Sequence, residues 1–345
     1  MVRSVSARFF GPTLVPPLRF VLLASWLSVF ALCVAQLLVP QLVEAYGLYS
    51  FVIGMLLLGL PHGALDHLVP FRVGWTWAGR PLGLGLYLLA YVALAAAYFG
   101  LWLVAPTLAF FGFLIATVLH WGQGDVRFLE IFLGRLRPNR LATAVSVLLR
   151  GSLPIVVPVL AFPATAESLY RHAAQGLGLN VTRLEFGGSS MVFCLGAYML
   201  VLLIAYAFFA VQSAPNRTVL WIDALEVLLL IVLFSGVPAY MSVGIYFIAW
   251  HSLRHLARLI ILRPEQASSL KAGRWVRPVL RLLLELLPVT CAALLLLVGL
   301  YVWKIRYASG LESFVALYLV MISAITKPHL LLTALMDYAP QKEVF

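Results

Sequence analysis

The sequence predicts an all-α fold: a polytopic membrane helix bundle of about ten transmembrane helices, with both termini cytoplasmic. Three observations predict it. Of 345 residues, 63% are hydrophobic and only 11% charged, too little charge to keep the surface of a water-soluble domain of this length in solution. Uncharged runs recur along the whole chain, several reaching the roughly 20 residues that cross about 30 Å of hydrocarbon. Lys and Arg, finally, fall overwhelmingly in alternate loops.

In order, the runs occupy residues 18–39, 46–68, 83–105, 106–122, 141–163, 188–211, 217–236, 237–260, 279–303 and 312–336. The first is too long for a signal-peptide core and no A-x-A-like cleavage site follows it, so it reads as a retained span. The joints Ala105-Pro106 and Gly236-Val237-Pro238 predict tight hairpins. Pro154 and Pro158 are expected to kink or break the fifth span. The chain thus divides into a cytoplasmic N-terminal segment, 1–17, a single transmembrane domain, 18–336, and a cytoplasmic tail, 337–345.

Orientation follows from the basic residues. The N-terminal segment, every second loop and the tail together hold 17 Lys and Arg, whereas the remaining loops hold only Arg171, Arg183, Lys304 and Arg306. Positive loops stay in the cytoplasm, and the expected setting is a multi-pass protein of the cell membrane. The net charge of +11 is scattered over these loops without a concentrated basic face, which argues against nucleic-acid binding. Cys33, Cys194 and Cys291 sit singly in apolar runs with no C-x-x-C pair and read as small packing residues.

Of seven histidines, His62, His67, His120, His251, His255 and His329 lie on the second, fourth, eighth and tenth spans, while His172 falls in a predicted loop. The four spans share one direction, and His62, His120, His251 and His329 each lie about 14–16 residues into theirs, about 21–24 Å from the outer end. A topology built from Lys and Arg alone therefore brings four histidine segments to one depth. His251 and His255 are spaced i,i+4, which projects both imidazoles from one helix face where they can share an ion. Asp66, at i+4 from His62, is placed to accept from that ring's other nitrogen, as carboxylates do behind metal-bound imidazoles. His67 points off that face. A single membrane histidine more often bridges helices by hydrogen bonding; six in one layer point to a bound metal.

Other polar groups lie at similar depth. Arg150 in the fifth span is placed to pair with Asp223 or Glu226 of the seventh. Arg254 is expected to snorkel to the interface. Trp121, Tyr246, Phe247 and Trp250 stand close to the histidines in sequence and are candidates to line a pocket for a long apolar substrate.

Four segments together carry a family resemblance: Pro61-His62-Gly63…Asp66-His67, His120-Trp121-Gly122…Asp125, Trp250-His251…Arg254-His255 and Pro328-His329. They resemble, over residues 55–335 and in order, the signature segments of the Brp/Blh family. Members of that family are membrane-embedded β-carotene oxygenases that cleave carotene centrally into two retinals for microbial rhodopsins. The resemblance implies a β-carotene 15,15'-dioxygenase using non-haem iron, Fe(2+), held by His62, His120, His251 and His255. It leaves Asp66, His67, His329 and Asp125 as supporting or alternative ligands. It further implies β-carotene and O2 as substrates, lateral entry of the carotene from the lipid bilayer, and delivery of retinal to a microbial rhodopsin. Trp121 departs mildly from the pattern, standing where the family more often carries Phe.

Competing readings are a di-iron desaturase or hydroxylase, which needs about eight histidines in clustered boxes, a transporter, and a bis-histidine haem carrier. No inverted repeat, P-loop, Gly-x-Ser-x-Gly elbow or His-Glu-x-x-His is present.

Overall fold

In the computed structural model the described residues are 16–59, 61, 63–133, 139–181, 183–213, 217–304 and 310–338. Among them there is no strand, and nine helices are long and apolar enough to cross a membrane. The chain begins with α1 (Pro16–Leu38) and α2 (Pro40–Gly54), which runs on into a π segment, Met55–Gly59. After α3 (Val69–Arg72) come α4 (Pro81–Val104), α5 (Pro106–Leu133), α6 (Arg140–Ala161) and α7 (Pro163–Gly176). The second half holds α8 (Ser189–Ser213), α9 (Arg217–Gly236), α10 (Ala239–Ile245), α11 (Leu253–Ile261), α12 (Pro264–Lys271), α13 (Val276–Lys304) and α14 (Leu311–Tyr338).

The expected span at 237–260 is composite. α10, a π segment (Tyr246–Ser252) and α11 follow one another without a break. Arg254, His255 and Arg258 are buried here among apolar neighbours, so this helix belongs to the bundle interior, where membrane-depth charges find partners. α4 is the opposite case: Trp102 is its one buried residue, and its apolar outer surface suits lipid contact. α14 is nearly enclosed, with every residue from Val315 to Met321 buried.

Three elements differ from expectation. The second span does not continue to 68 as one helix: residue 61 is still helical, but turns occupy 63–65. Short turns replace it, including a 3₁₀ turn at Asp66–Leu68, with Leu65 and Val69 buried. Irregular backbone at membrane depth is tolerated where protein encloses it. Second, α6 passes through Pro154 and Pro158 unbroken. Third, α7 occupies a predicted loop. It is amphipathic and anchors by Tyr170, whose hydroxyl meets Thr107 Oγ1 at 2.7 Å. His172 sits on this helix, with Nε2 3.3 Å from Glu312, well apart in sequence from the other histidine segments.

The arginine-rich end of the bundle is tied by Glu285, which accepts from Arg72 at 2.5 Å, Arg263 at 2.8 Å and Arg281 at 3.3 Å. Burial, helped by neighbouring Arg263 and opposed by Glu285, lowers Arg72 to about 10. It therefore stays charged at neutral pH and the tie holds.

α5 and α6 cross in backbone contact. A Cβ at Gly122 would collide with the carbonyl oxygen of Val147, and one at Gly151 with that of Val118. Gly→Ala inside a helix ordinarily gains up to about 1 kcal/mol of helix propensity. Here Gly151→Ala is expected to destabilise, by about 1–3 kcal/mol as overpacking does, read as a lower thermal midpoint in detergent. An unchanged or raised midpoint would mean that the helices are not in contact there.

Candidate metal centre

Four imidazoles meet in the interior. α5 brings His120, the π segment brings His251, α11 brings His255 and α14 brings His329, each only 4–5% exposed. Ring centroids of His120 lie 5.0 Å from His251, 6.4 Å from His255 and 4.7 Å from His329. His255 lies 6.4 Å from His251 and 5.5 Å from His329. The His251 and His255 rings are within 12° of parallel, so both leave the helix on one side, as their spacing predicts. The π segment widens the helix where His251 emerges, a local cost that recurs at functional sites.

Metal–imidazole bonds of about 2.1 Å put a ring centroid about 3.3 Å from the ion, so two ligands of one ion have centroids about 4.5–6.5 Å apart. All five separations fall in that range. Among the described residues no group of three or more His, Cys, Asp or Glu side chains already has the pose to hold an ion. The imidazoles fit one by donor type and proximity. His62, an expected ligand, lies outside the described residues.

His329 is oriented by a carboxylate: its Nδ1 is 2.9 and 2.8 Å from the two oxygens of Asp66. A ring held so offers Nε2 to a metal. Asp66 stands behind His329 and also accepts from Tyr91 at 2.7 Å, while its expected relation to His62 lies outside the described residues. His67 turns back on its own segment, its Nδ1 2.9 Å from Ala64 O. Thr333, one turn beyond His329, puts Oγ1 3.5 Å from His120 Nδ1.

Beside the histidines lies a buried ion cluster. Arg150 pairs with Asp125, Asp223 and Glu226, the last at 3.0 Å. Arg254 reaches Asp125 and Glu226 at 2.6 Å each and stacks 3.8 Å over Trp250. Arg254 is therefore no snorkelling side chain: it is 2% exposed, since two carboxylates inside the bundle offer it more than the interface does. Arg150 pairs with both of its expected partners. Asp125, an alternative ligand by expectation, has Oδ1 engaged by Trp250 and Arg254 and Oδ2 by Arg150. Its role here is to bridge two arginines.

An apolar cavity of about 150 Å³ is lined in part by His120 and His329. Phe51, Phe113, Trp121, Phe247 and Tyr318 line it, together with Ala166 of α7. Pro154 and Pro158 face it from α6. Phe247 stacks on His251, centroids 5.7 Å apart at 12°, and it can do so because a Cβ at Gly59 would strike its ring. Of the four aromatic residues expected to line a pocket, Trp121 and Phe247 line this one, while Tyr246 and Trp250 line a smaller one with His251 and His255. Tyr246 and Trp250 stack on each other, 6.2 Å apart, and Trp250 donates to Asp125. The contributions of Tyr91, Tyr318 and α7 were not foreseen. Tyr91 and α7 come from elements that carry none of the clustered histidines, and Tyr318 lies about three turns before His329 on α14.

Comparison with known proteins bears on this site. The family profile described as beta-carotene 15,15'-dioxygenase matches residues 53–337. The chain is similar to a probable beta-carotene 15,15'-dioxygenase Blh of Halobacterium salinarum, 39% identical over 290 residues and 81% of each chain. It is 32% identical over 235 residues to a probable beta-carotene 15,15'-dioxygenase Brp of the same species, covering 64% of this chain and 60% of that one. A beta-carotene 15,15'-dioxygenase of an uncultured marine bacterium is 29% identical over 119 residues, 30% of this chain and 43% of that protein. No solved structure matches.

Proposed function

Because the chain belongs to the beta-carotene 15,15'-dioxygenase family, we propose that it cleaves β-carotene at the central double bond with O2, giving two retinals at an iron(II) centre inside the membrane. The observation that carries this reading is the cluster of four buried imidazoles, two of which, His120 and His329, line an apolar cavity.

The balance is simple. One C=C bond is broken, two C=O bonds form, and one O2 supplies both oxygens without any further reductant. His120, His251, His255 and His329 would hold the iron, with His62 as a further candidate. Bound iron supplies the O2 chemistry, and neutral imidazoles leave it its positive charge and open positions. The protein's own task is placement. The cavity's apolar lining suits an apolar chain, with Trp121 and Phe247 beside His251. Asp66 holds His329 in one ring orientation. The carotene enters from the bilayer, and retinal passes to a microbial rhodopsin in the same cell membrane, both termini lying in the cytoplasm.

Carotene-producing cells expressing the chain should accumulate retinal, and the purified protein should carry about one iron per chain; His251→Ala should lose both. A wild type without retinal or metal would sink the reading, and two irons per chain would favour the di-iron alternative. A second expectation separates cavity from metal. Ala166→Trp, which fills the cavity near α7, should cut retinal formation about 10-fold or more while leaving iron content unchanged. Undiminished retinal would show that the carotene takes another path.

A further inference from the structure

We infer that Tyr91 is a positioning residue for the metal centre, acting through Asp66 on His329; the inference rests on the metal reading of the histidine cluster. α4 is the most lipid-exposed of the long helices, yet two tyrosines one turn apart on it, Tyr87 and Tyr91, face inward with ring centroids 6.1 Å apart. They reach the same residue by different routes. Tyr87 donates to the backbone carbonyl of Asp66 at 3.0 Å, whereas Tyr91 donates to its carboxylate Oδ2 at 2.7 Å. That oxygen also takes the His329 Nδ1–H at 2.8 Å.

A carboxylate shared between an imidazole N–H and a phenol O–H is fixed in plane by two donors. Its charge is also partly spent on the phenol, which limits how strongly it pulls on the imidazole proton. Tyr91 therefore sets both the direction in which His329 presents Nε2 and the donor strength of that nitrogen. Tyr87, bonded only to main chain, shapes the turn without touching the carboxylate. Side chains behind metal-bound imidazoles commonly govern 10–100-fold in metal affinity, and Tyr91 is one atom further out, so the lower end of that range applies.

The test titrates the metal-free, full-length protein in detergent with Co(II), reading affinity and visible absorption, and compares Tyr91→Phe with Tyr87→Phe. Tyr91→Phe is expected to weaken Co(II) binding about 10-fold and shift the absorption band, with a thermal midpoint equal to that of Tyr87→Phe. Tyr87→Phe should keep the wild-type band. If both variants bind as wild type does, with the same band, Tyr91 is a structural tie only and the inference falls while the metal reading stands. If the wild type itself takes up no Co(II), the metal reading fails and takes the inference with it. Should Tyr91→Phe not accumulate, 3-fluorotyrosine at position 91 keeps the shape and strengthens the donor; a shifted band supports the inference and an unmoved one overturns it.

Discussion

Changing His329 to alanine is expected to abolish retinal formation, a loss of at least about 100-fold, the upper bound seen for groups that merely support a ligand. The same change should lower bound iron in the purified protein. The expectation comes from position: His329 lies 4.7 Å from His120 and 5.5 Å from His255, lines the cavity and is oriented by Asp66. His67→Ala is the contrast. It shares a sequence motif with Asp66, but its ring bonds Ala64 O within its own turn, so retinal formation should change by less than about threefold, as for a single local hydrogen bond worth about 0.5–1.5 kcal/mol in stability alone. If His67→Ala and His329→Ala behaved alike, the four-ring cluster would not be the reaction centre.

The second large effect is on folding. Arg150 is wholly buried and meets three carboxylates, while Arg254 meets two of the same three. Arg150→Ala removes one of two cations from a cluster with three acids, and removing one partner of a buried pair costs about 3–5 kcal/mol. Folded protein should be scarce in membranes, which a fluorescent-fusion gel-filtration profile reads directly. A monodisperse, wild-type-like peak for Arg150→Ala would mean the acids are protonated or hydrated and the cluster is not ionic. Arg150→Lys should fall between, because one ammonium cannot reproduce a planar fork that serves Asp125, Asp223 and Glu226 together.

Much of this arrangement was legible beforehand. Span boundaries came close because hydropathy and loop charge report the bilayer directly: α6 and α9 begin and end within a few residues of expectation. The i,i+4 spacing of His251 and His255 correctly put both rings on one side. A continuous helix over 46–68 is where the expectation differs most, since the chain turns at 63–65. The 3₁₀ turn at Asp66–Leu68 directs the Asp66 carboxylate to His329 on α14, a contact that helical periodicity along the second span does not reveal. Arg254 was misjudged for another reason. Its destination depends on Asp125 and Glu226, far away in the chain, and a linear pattern carries no information about such partners. Tyr91 escaped notice likewise, as one aromatic among many on a lipid-facing helix.

The ion cluster also constrains how the chain is made. Its members leave the ribosome at different times: Asp125 on α5 and Arg150 on α6 form one hairpin, nearly neutral on arrival. Asp223 and Glu226 follow on α9 and meet Arg150 as two acids on one base. Arg254, on α11, comes last. Between those events the nascent bundle holds excess negative charge at a depth where each unpaired ionised group costs about 2.5–3.5 kcal/mol even by insertion scales. Synthesis halted after α9 thus leaves an intermediate that the insertion machinery must retain, and the helix that delivers the paired histidines is also the one whose arrival allows release into the bilayer.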